Sequence, residues 1–133
     1  MLKTICVVED NADNRLLVHA LLDDQFVVVE YCDGPSALAG LQAICPDLIL
    51  LDISLPEMDG LEVLRRIRSN AAFRTIPVIA LTAHAMAGDR ARLIAAGFDE
   101  YVTKPIADET LLFGAIDRCL TARSADSTAG ARA

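Results

Sequence analysis

Asp52 stands at the point where a buried strand should end and a loop should begin. The four residues before it are apolar, and Pro56 and Gly60 lie in the segment that follows. A short apolar run bounded by turn-forming residues is typical of a strand buried on both faces of a sheet. Ligands of open α/β sheets bind at the carboxyl ends of such strands. Asp52 therefore either begins a turn or belongs to a ligand site.

Polar side chains also follow three other apolar runs. Glu9 and Asp10 come after the first run, Thr82 after the fourth and Lys104 after the fifth. Each of them alone has an ordinary explanation as a solvated turn, a helix cap or a surface charge. In a parallel sheet, however, the carboxyl ends of the strands meet at one edge. Together with Asp52, these residues predict a pocket of three carboxylates, one hydroxyl and one ammonium group.

The chemistry of such a pocket follows from its charges. Converging carboxylates repel one another, so at least one resists ionisation unless a cation is present. Mg²⁺ prefers oxygen ligands and is often held by one or two carboxylates together with a phosphate. A carboxylate can attack a phosphoryl group to give an aspartyl phosphate, and Asp52 is the central candidate. Thr82 and Lys104 would then contact the phosphoryl oxygens.

The elements that must position these residues alternate along the chain. Apolar runs predict strands over residues 5–8, 26–29, 48–51 and 77–81, and residues 100–103 are predicted to form a short fifth strand. Apolar residues at helical spacing predict a helix after each strand. This alternation predicts an α/β fold with a doubly wound, five-stranded parallel sheet and five helices. Right-handed crossovers favour the flavodoxin-like strand order 2-1-3-4-5. In the first helix, Asn11 is the predicted N-cap, and the helical spacing is marked by Leu16, Leu17, Ala20 and Leu21.

The chain has 133 residues, which suits one domain, predicted here over residues 1–121. Residues 122–133 lack apolar periodicity and are predicted to be a disordered tail or the start of a linker. The formal net charge of −7 argues against nucleic acid and against anionic membrane surfaces as partners. We find neither a signal-peptide pattern nor an apolar run near the roughly eighteen residues of a membrane span. A soluble, cytoplasmic protein is therefore expected.

The cysteines give no sign of a metal site. No C-x-x-C pair occurs and the two histidines are far apart, so zinc is not expected. Cys6 and Cys32 lie in apolar runs and are predicted to be small buried thiols in a reducing compartment.

Taken together, the motifs resemble the receiver domain of bacterial two-component response regulators over residues 3–120. The resemblance is carried by five motifs: Val7-Val8-Glu9-Asp10-Asn11, Pro46-Asp47-Leu48-Ile49-Leu50-Leu51-Asp52, Leu55-Pro56-Glu57-Met58-Asp59-Gly60, Leu81-Thr82-Ala83 and Lys104-Pro105. Residues 82–86 and 101–106 look most like stand-alone receivers similar to DivK, or like receivers of hybrid histidine kinases.

The resemblance implies a phosphorelay role. Asp52 would accept a phosphoryl group from a histidine kinase or histidine phosphotransfer protein. Mg²⁺ would be held by Glu9, Asp10, Asp52 and the backbone carbonyl of Ser54. A water-mediated metal contact is implied for Glu9, because many relatives have Asp there. The protein would be a signalling phosphoacceptor, not an enzyme, and would catalyse only its own phosphorylation and dephosphorylation.

The resemblance also implies a switch. Thr82 and Lys104 would contact the phosphoryl group, and Thr82 and Tyr101 would move together on phosphorylation. Their movement would remodel the surface of the fourth helix, fifth strand and fifth helix, which would bind a downstream protein. The Lys104–Pro105 bond is expected to be cis. His84, two residues after Thr82, is either a modulator of phosphate lifetime or, as we favour, an exposed loop residue.

Three other classes of protein compete with this interpretation. A haloacid-dehalogenase-like phosphatase needs an acid two residues after its nucleophile, where this chain has Ser54. A flavodoxin-like FMN carrier needs a phosphate-cradling loop after the first strand, where this chain has two acidic residues. A phosphorylation-independent pseudo-receiver is disfavoured because Asp52, Thr82 and Lys104 are all present.

Overall fold

Five parallel strands alternate with five helices along the chain. The computed structural model describes residues 2–83, 89–106 and 108–132. The strands are β1 (Thr4–Val8), β2 (Val27–Tyr31), β3 (Leu48–Asp52), β4 (Val78–Thr82) and β5 (Glu100–Thr103). The helices are α1 (Ala12–Leu22), α2 (Gly34–Ile44), α3 (Gly60–Ser69), α4 (Asp89–Ala96) and α5 (Glu109–Arg132). The sheet order is β2-β1-β3-β4-β5, which confirms the predicted fold class.

The central strands β3 and β4 are apolar up to their last residue because helices cover both faces of the sheet. Every residue of β3 is buried, and so is every residue of β4. Ile49 and Leu51 contribute to the core beneath α2, α3 and α4, whereas Leu48 and Leu50 contribute to the core beneath α1 and α5. This alternation follows from the two-residue period of a strand and leaves the strand ends as the place for polar groups.

Three helices begin at acidic or amide side chains that cap them. Asn11 accepts a hydrogen bond from the N–H of Asn14, as predicted, and Asp33 and Asp59 cap α2 and α3 in the same way. These side chains satisfy N–H groups that have no partner within the helix. The loops that follow β1, β2 and β3 therefore end at defined residues, which restrains the loops nearest the strand ends.

The second strand is displaced from its predicted position. It runs from Val27 to Tyr31, two residues beyond the predicted end, while the N–H of Phe26 is bonded to the carbonyl of Leu22 in the turn after α1. Cys32 lies beyond the strand and is exposed, so the prediction of a buried thiol there was wrong, whereas Cys6 is buried. As an edge strand, β2 accepts the polar Glu30, which a continuous apolar pattern does not anticipate.

The first helix buries a different face from the one that its leucines suggested. Val18 and Leu22 are buried against the sheet, whereas Leu16 and Leu17 are 69% and 39% exposed. Seven of the eleven residues of this helix are apolar and they are spread around its axis, so several faces match a helical period. Packing against the sheet selects one of these faces.

The fifth helix continues to Arg132, through the segment predicted to be a disordered tail or linker. Absence of apolar periodicity indicates absence of a buried face, not absence of a helix. Residues 121–132 contain several alanines and no proline, so their composition permits the helix to continue. The division into a domain over residues 1–121 and a separate tail remains a prediction. None of the helices in the described ranges has both the length and the apolar content that a membrane span requires.

Candidate functional site

The carboxyl ends of four neighbouring strands bring the predicted site residues to one edge of the sheet. The pairing of Val8 with Leu51 and of Asp52 with Leu81 brings the ends of β1, β3 and β4 level with one another. The strand β5 continues this edge, since Thr82 pairs with Thr103, and Lys104 is the next residue. Side chains that are distant in the sequence are therefore neighbours at this edge.

Three carboxylates converge there. One oxygen from each of Glu9, Asp10 and Asp52 lies within 4.8 Å of the others. Glu9 and Asp52 are 0% and 1% exposed, whereas Asp10 faces solvent. Within the described residues, Oδ2 of Asp52 is buried without a hydrogen bond of adequate geometry. An all-oxygen donor set with a buried oxygen still lacking a hydrogen bond fits a hard divalent cation such as Mg²⁺.

Lys104 holds the two buried carboxylates together. Its Nζ donates to Oε1 of Glu9 at 3.0 Å and also lies 3.0 Å from Oδ2 of Asp52. The second contact has the distance of an ion pair but is not a hydrogen bond, because Oδ2 of Asp52 has no hydrogen-bond partner of adequate geometry. The main chain of Lys104 is also fixed, since its N–H donates to the carbonyl of Thr82 at 2.7 Å. The Lys104–Pro105 bond is cis, as the resemblance implied.

The pKa values of the two buried carboxyl groups, Glu9 and Asp52, shift in opposite directions. Burial raises the pKa of Glu9 to about 7, and its contact with Asp52 adds to this, against the opposing effect of Lys104. Burial also acts to raise the pKa of Asp52, but contacts with Glu9, Lys104 and the N–H of Ser54 lower it below its ordinary value. Burial similarly opposes the charge of Lys104, yet its two carboxylate partners raise its pKa. Asp52 therefore gives up its proton more readily than Glu9, which suits a nucleophile.

The segment after Asp52 is closed onto the end of β3. The N–H of Ser54 donates to Oδ1 of Asp52 at 3.0 Å, and the N–H of Gly60 donates to the carbonyl of Ile53 at 2.8 Å. A Cβ atom at Gly60 would lie 2.4 Å from the carbonyl oxygen of Asp52. Only glycine permits so close an approach, so the start of α3 helps to place the main chain of Asp52. The sequence analysis assigned Gly60 to a motif but did not predict its close approach to the main chain of Asp52. The position of Gly60 directly after the helix cap Asp59 was the sequence feature that could have indicated this approach.

The predicted switch residues lie on the two strands at one side of the site. Thr82 is buried at the end of β4, and Tyr101, on β5, is paired with Ala80 and packs partly buried against the core. The proposed movement of Thr82 and Tyr101 stays a prediction. His84 lies outside the described residues.

The fold and this edge define the class of the protein. The family described as "Response regulator receiver domain" matches residues 5–115, and the chain belongs to this family. Receiver domains of this kind act in two-component signalling and are not enzymes in the usual sense. This membership confirms the resemblance and sets aside the phosphatase and FMN-carrier alternatives.

Similar proteins include receivers of both predicted kinds. The chain is 43% identical over 109 residues to the signal transduction histidine-protein kinase BarA of Escherichia coli K12, covering 81% of this chain but 12% of that kinase. It is 41% identical over 108 residues to the polar-differentiation response regulator DivK of Brucella ovis, covering 80% and 88% of the two chains.

A solved structure shows the same fold around a bound metal. It is the receiver domain of a sensor histidine kinase from Pseudomonas aeruginosa PAO1, with a magnesium ion coordinated in its active-site cleft. The two structures agree with a TM-score of 0.82 at 34% identity, over 91% of this chain and 99% of that one.

Proposed function

We propose that this chain is a phosphoacceptor in which Asp52 receives a phosphoryl group from the phosphohistidine of a kinase or phosphotransfer protein. The observation that carries the proposal is that the buried carboxylates of Glu9 and Asp52 both lie 3.0 Å from the partly buried Lys104 at the carboxyl edge. An ionised oxygen of Asp52 forms the new P–O bond. The P–N bond to the donor breaks, and the imidazole leaves with the electron pair.

Glu9, Asp10 and Asp52 would hold Mg²⁺, together with the backbone carbonyl of Ser54. The metal would offset the negative charge of the phosphoryl group and of the carboxylates. The fit of the donor set supports this assignment, since all three side chains offer oxygen and two of them are buried. Glu9 would contact the metal either directly or through a water molecule.

Lys104 and Thr82 would stabilise the transferred group. When Asp52 becomes an acyl phosphate it loses its carboxylate charge, and Lys104 can then pair with a phosphoryl oxygen instead. A phosphoryl oxygen would also accept a hydrogen bond from the hydroxyl of Thr82. Phosphoryl transfer depends mainly on positioning and charge stabilisation, which these side chains supply.

The output would be a change of protein surface. Movement of Thr82 toward the phosphoryl group would let Tyr101 turn inward and would remodel the face formed by α4, β5 and α5. The net charge of −7 supports a protein target, because nucleic acids and anionic membranes attract basic surfaces. Saturable binding to duplex DNA at physiological salt would contradict this choice of partner.

The test is modification of the intact protein by a small acyl phosphate in the presence of Mg²⁺. The wild type should gain the mass of one phosphoryl group, Asp52→Asn should not, and Asp24→Asn, at an exposed position, should behave as the wild type does. Beryllofluoride, which imitates a phosphoryl group, should give the same pattern in amide NMR spectra. If Asp52→Asn is modified to the same extent as the wild type, Asp52 is not the acceptor.

A further inference from the structure

One guanidinium group lies directly behind the acidic cluster. Nη1 of Arg15 donates to the carbonyl of Glu9 at 2.8 Å and to the carbonyl of Asp10 at 3.1 Å. The side chain of Arg15 is 24% exposed and reaches back from the first turn of α1. The guanidinium therefore contacts the main chain, and not the carboxylates, of two of the three acidic residues.

The same short segment is held at other points. The N–H of Glu9 donates to the carbonyl of Tyr31 at 3.0 Å. The N–H of Asn11 donates to Oε2 of Glu9 at 3.1 Å, and the carbonyl of Asn11 accepts from the N–H of Arg15 at 3.0 Å. The N–H groups of Glu9 and Asn11 are thus bonded elsewhere, whereas the side chain of Arg15 binds the carbonyls of Glu9 and Asp10. Both bonds come from Nη1, whose two N–H groups have directions fixed by the planar guanidinium, whereas the N–H groups of an ammonium rotate freely.

We propose that Arg15 is a positioning residue that holds the main chain of Glu9 and Asp10 so that their carboxylates converge on the metal. The proposal rests on the proposed function, because it assigns Arg15 a role in building the Mg²⁺ site. Arg15 touches neither Asp52 nor an incoming donor in the described contacts, so its effect is on metal affinity and not on the transfer step.

The sign of the effect separates positioning from simple electrostatics. A positive charge beside an acidic cluster repels a metal ion, so loss of the charge alone would strengthen Mg²⁺ binding. Glu30 lies 3.9 Å from Nε of Arg15 and offsets part of this repulsion. Loss of a positioning contact has the opposite result, since the two carboxylates would no longer be held in the binding arrangement.

The variants to compare are Arg15→Met, Arg15→Lys and the control Arg65→Met. Arg65 lies on α3, is paired with Glu62 and is largely exposed, so Arg65→Met removes the same charge at a distance from the cluster. By isothermal titration with Mg²⁺, Arg15→Met should bind roughly 10-fold more weakly than the wild type, as is usual when a residue that orients metal ligands is lost. Arg15→Lys should fall between the two, and Arg65→Met should match the wild type.

Two further readouts distinguish positioning from a loss of folding or chemistry. In the metal-free protein, Arg15→Met should shift the amide NMR signals of Asp10 and Asn11 while the core signals stay in place. At saturating Mg²⁺, its rate of phosphorylation should return to that of the wild type. A rate that stays low would overturn the proposal, and so would Mg²⁺ binding as tight as in the wild type or tighter. If Arg15→Met is unfolded, Arg15→Lys is the deciding variant. Mg²⁺ binding by Arg15→Lys as tight as in the wild type, or a phosphorylation rate that stays low at saturating Mg²⁺, would then overturn the proposal. Failure of the wild type to bind Mg²⁺ would instead refute the proposed function.

Discussion

Replacement of Gly60 by alanine tests whether the start of α3 places Asp52. The added Cβ would lie 2.4 Å from the carbonyl oxygen of Asp52 and 2.7 Å from Cα of Ile53. Both contacts are with main-chain atoms of a buried strand end, which cannot rotate away as a side chain can. Such overpacking costs about 1–3 kcal/mol. The preference of helices for alanine over glycine returns less than about 1 kcal/mol, because Gly60 is at the helix start.

We therefore expect Gly60→Ala to lower the free energy of unfolding by about 1–2 kcal/mol. With a urea slope of about 1–3 kcal/mol/M, the midpoint should fall by roughly 0.3–2 M. The assay is urea unfolding followed by circular dichroism. The same variant should accept a phosphoryl group more slowly, because relief of the clash must move the main chain that carries the Asp52 carboxylate.

Two other glycines provide matched controls. At Gly34 an added Cβ would lie 2.6 Å from Cγ2 of Val63, so Gly34→Ala should destabilise the fold by a similar mechanism without moving Asp52. At Gly114, within α5, the nearest atom is Nη1 of the flexible Arg118 at 3.3 Å, so Gly114→Ala should be neutral or stabilising by up to about 1 kcal/mol. The reasoning is refuted if Gly60→Ala is as stable as the wild type. It is also refuted if Gly34→Ala, once folded, loses as much phosphorylation rate as Gly60→Ala.

Two further predictions concern ionisation and the far end of the sheet. The pKa of Glu9 is raised from 4.5 to about 7, so the metal-free folded protein binds the extra proton and its stability should fall as the pH rises from 4.5 to about 7. Urea unfolding in the presence of a chelator should show this fall in the wild type and a smaller one in Glu9→Gln; an identical slope in both would assign it to other groups. Arg68→Met should cost about 2–3 kcal/mol, because this guanidinium donates to the carbonyls of Arg74, Ile76 and Gly97 and to Asp99. The exposed Arg66→Met on the same helix should cost less than about 1 kcal/mol in the same assay, and equal losses would contradict the assignment.

The sequence alone was sufficient for the fold class, the strand order and the residues that gather at the site. Buried strands read as continuous apolar runs, and the residue after each run is the one that a parallel sheet brings to its carboxyl edge. The apolar run and the polar residue that follows it are both visible in a short stretch of sequence, so Asp52, Thr82 and Lys104 could be selected without coordinates. The 3.0 Å contact between Asp52 and Lys104 agrees with the assumption of a parallel sheet, and a role for Thr82 stays a prediction.

Other features depended on contacts between distant residues and could not be read from local pattern. The buried face of α1 is formed by Val18 and Leu22. Packing against the sheet selects this face, because the apolar residues of the helix are spread around its axis. The position of β2 was decided by pairing with β1, since its own apolar run matches more than one register.

The finer properties of the site belong to the tertiary structure for the same reason. Burial and the contact with Asp52 raise the pKa of Glu9, whereas the contacts with Glu9, Lys104 and the N–H of Ser54 lower that of Asp52. Lys104 is 95 residues from Glu9 in the chain. The approach of Gly60 to the main chain of Asp52 is likewise a property of packing. The residue types indicated which chemistry is possible. Folding then determined which carboxyl has the lower pKa, through burial of Glu9 and through the contacts of Asp52 with Glu9, Lys104 and the N–H of Ser54.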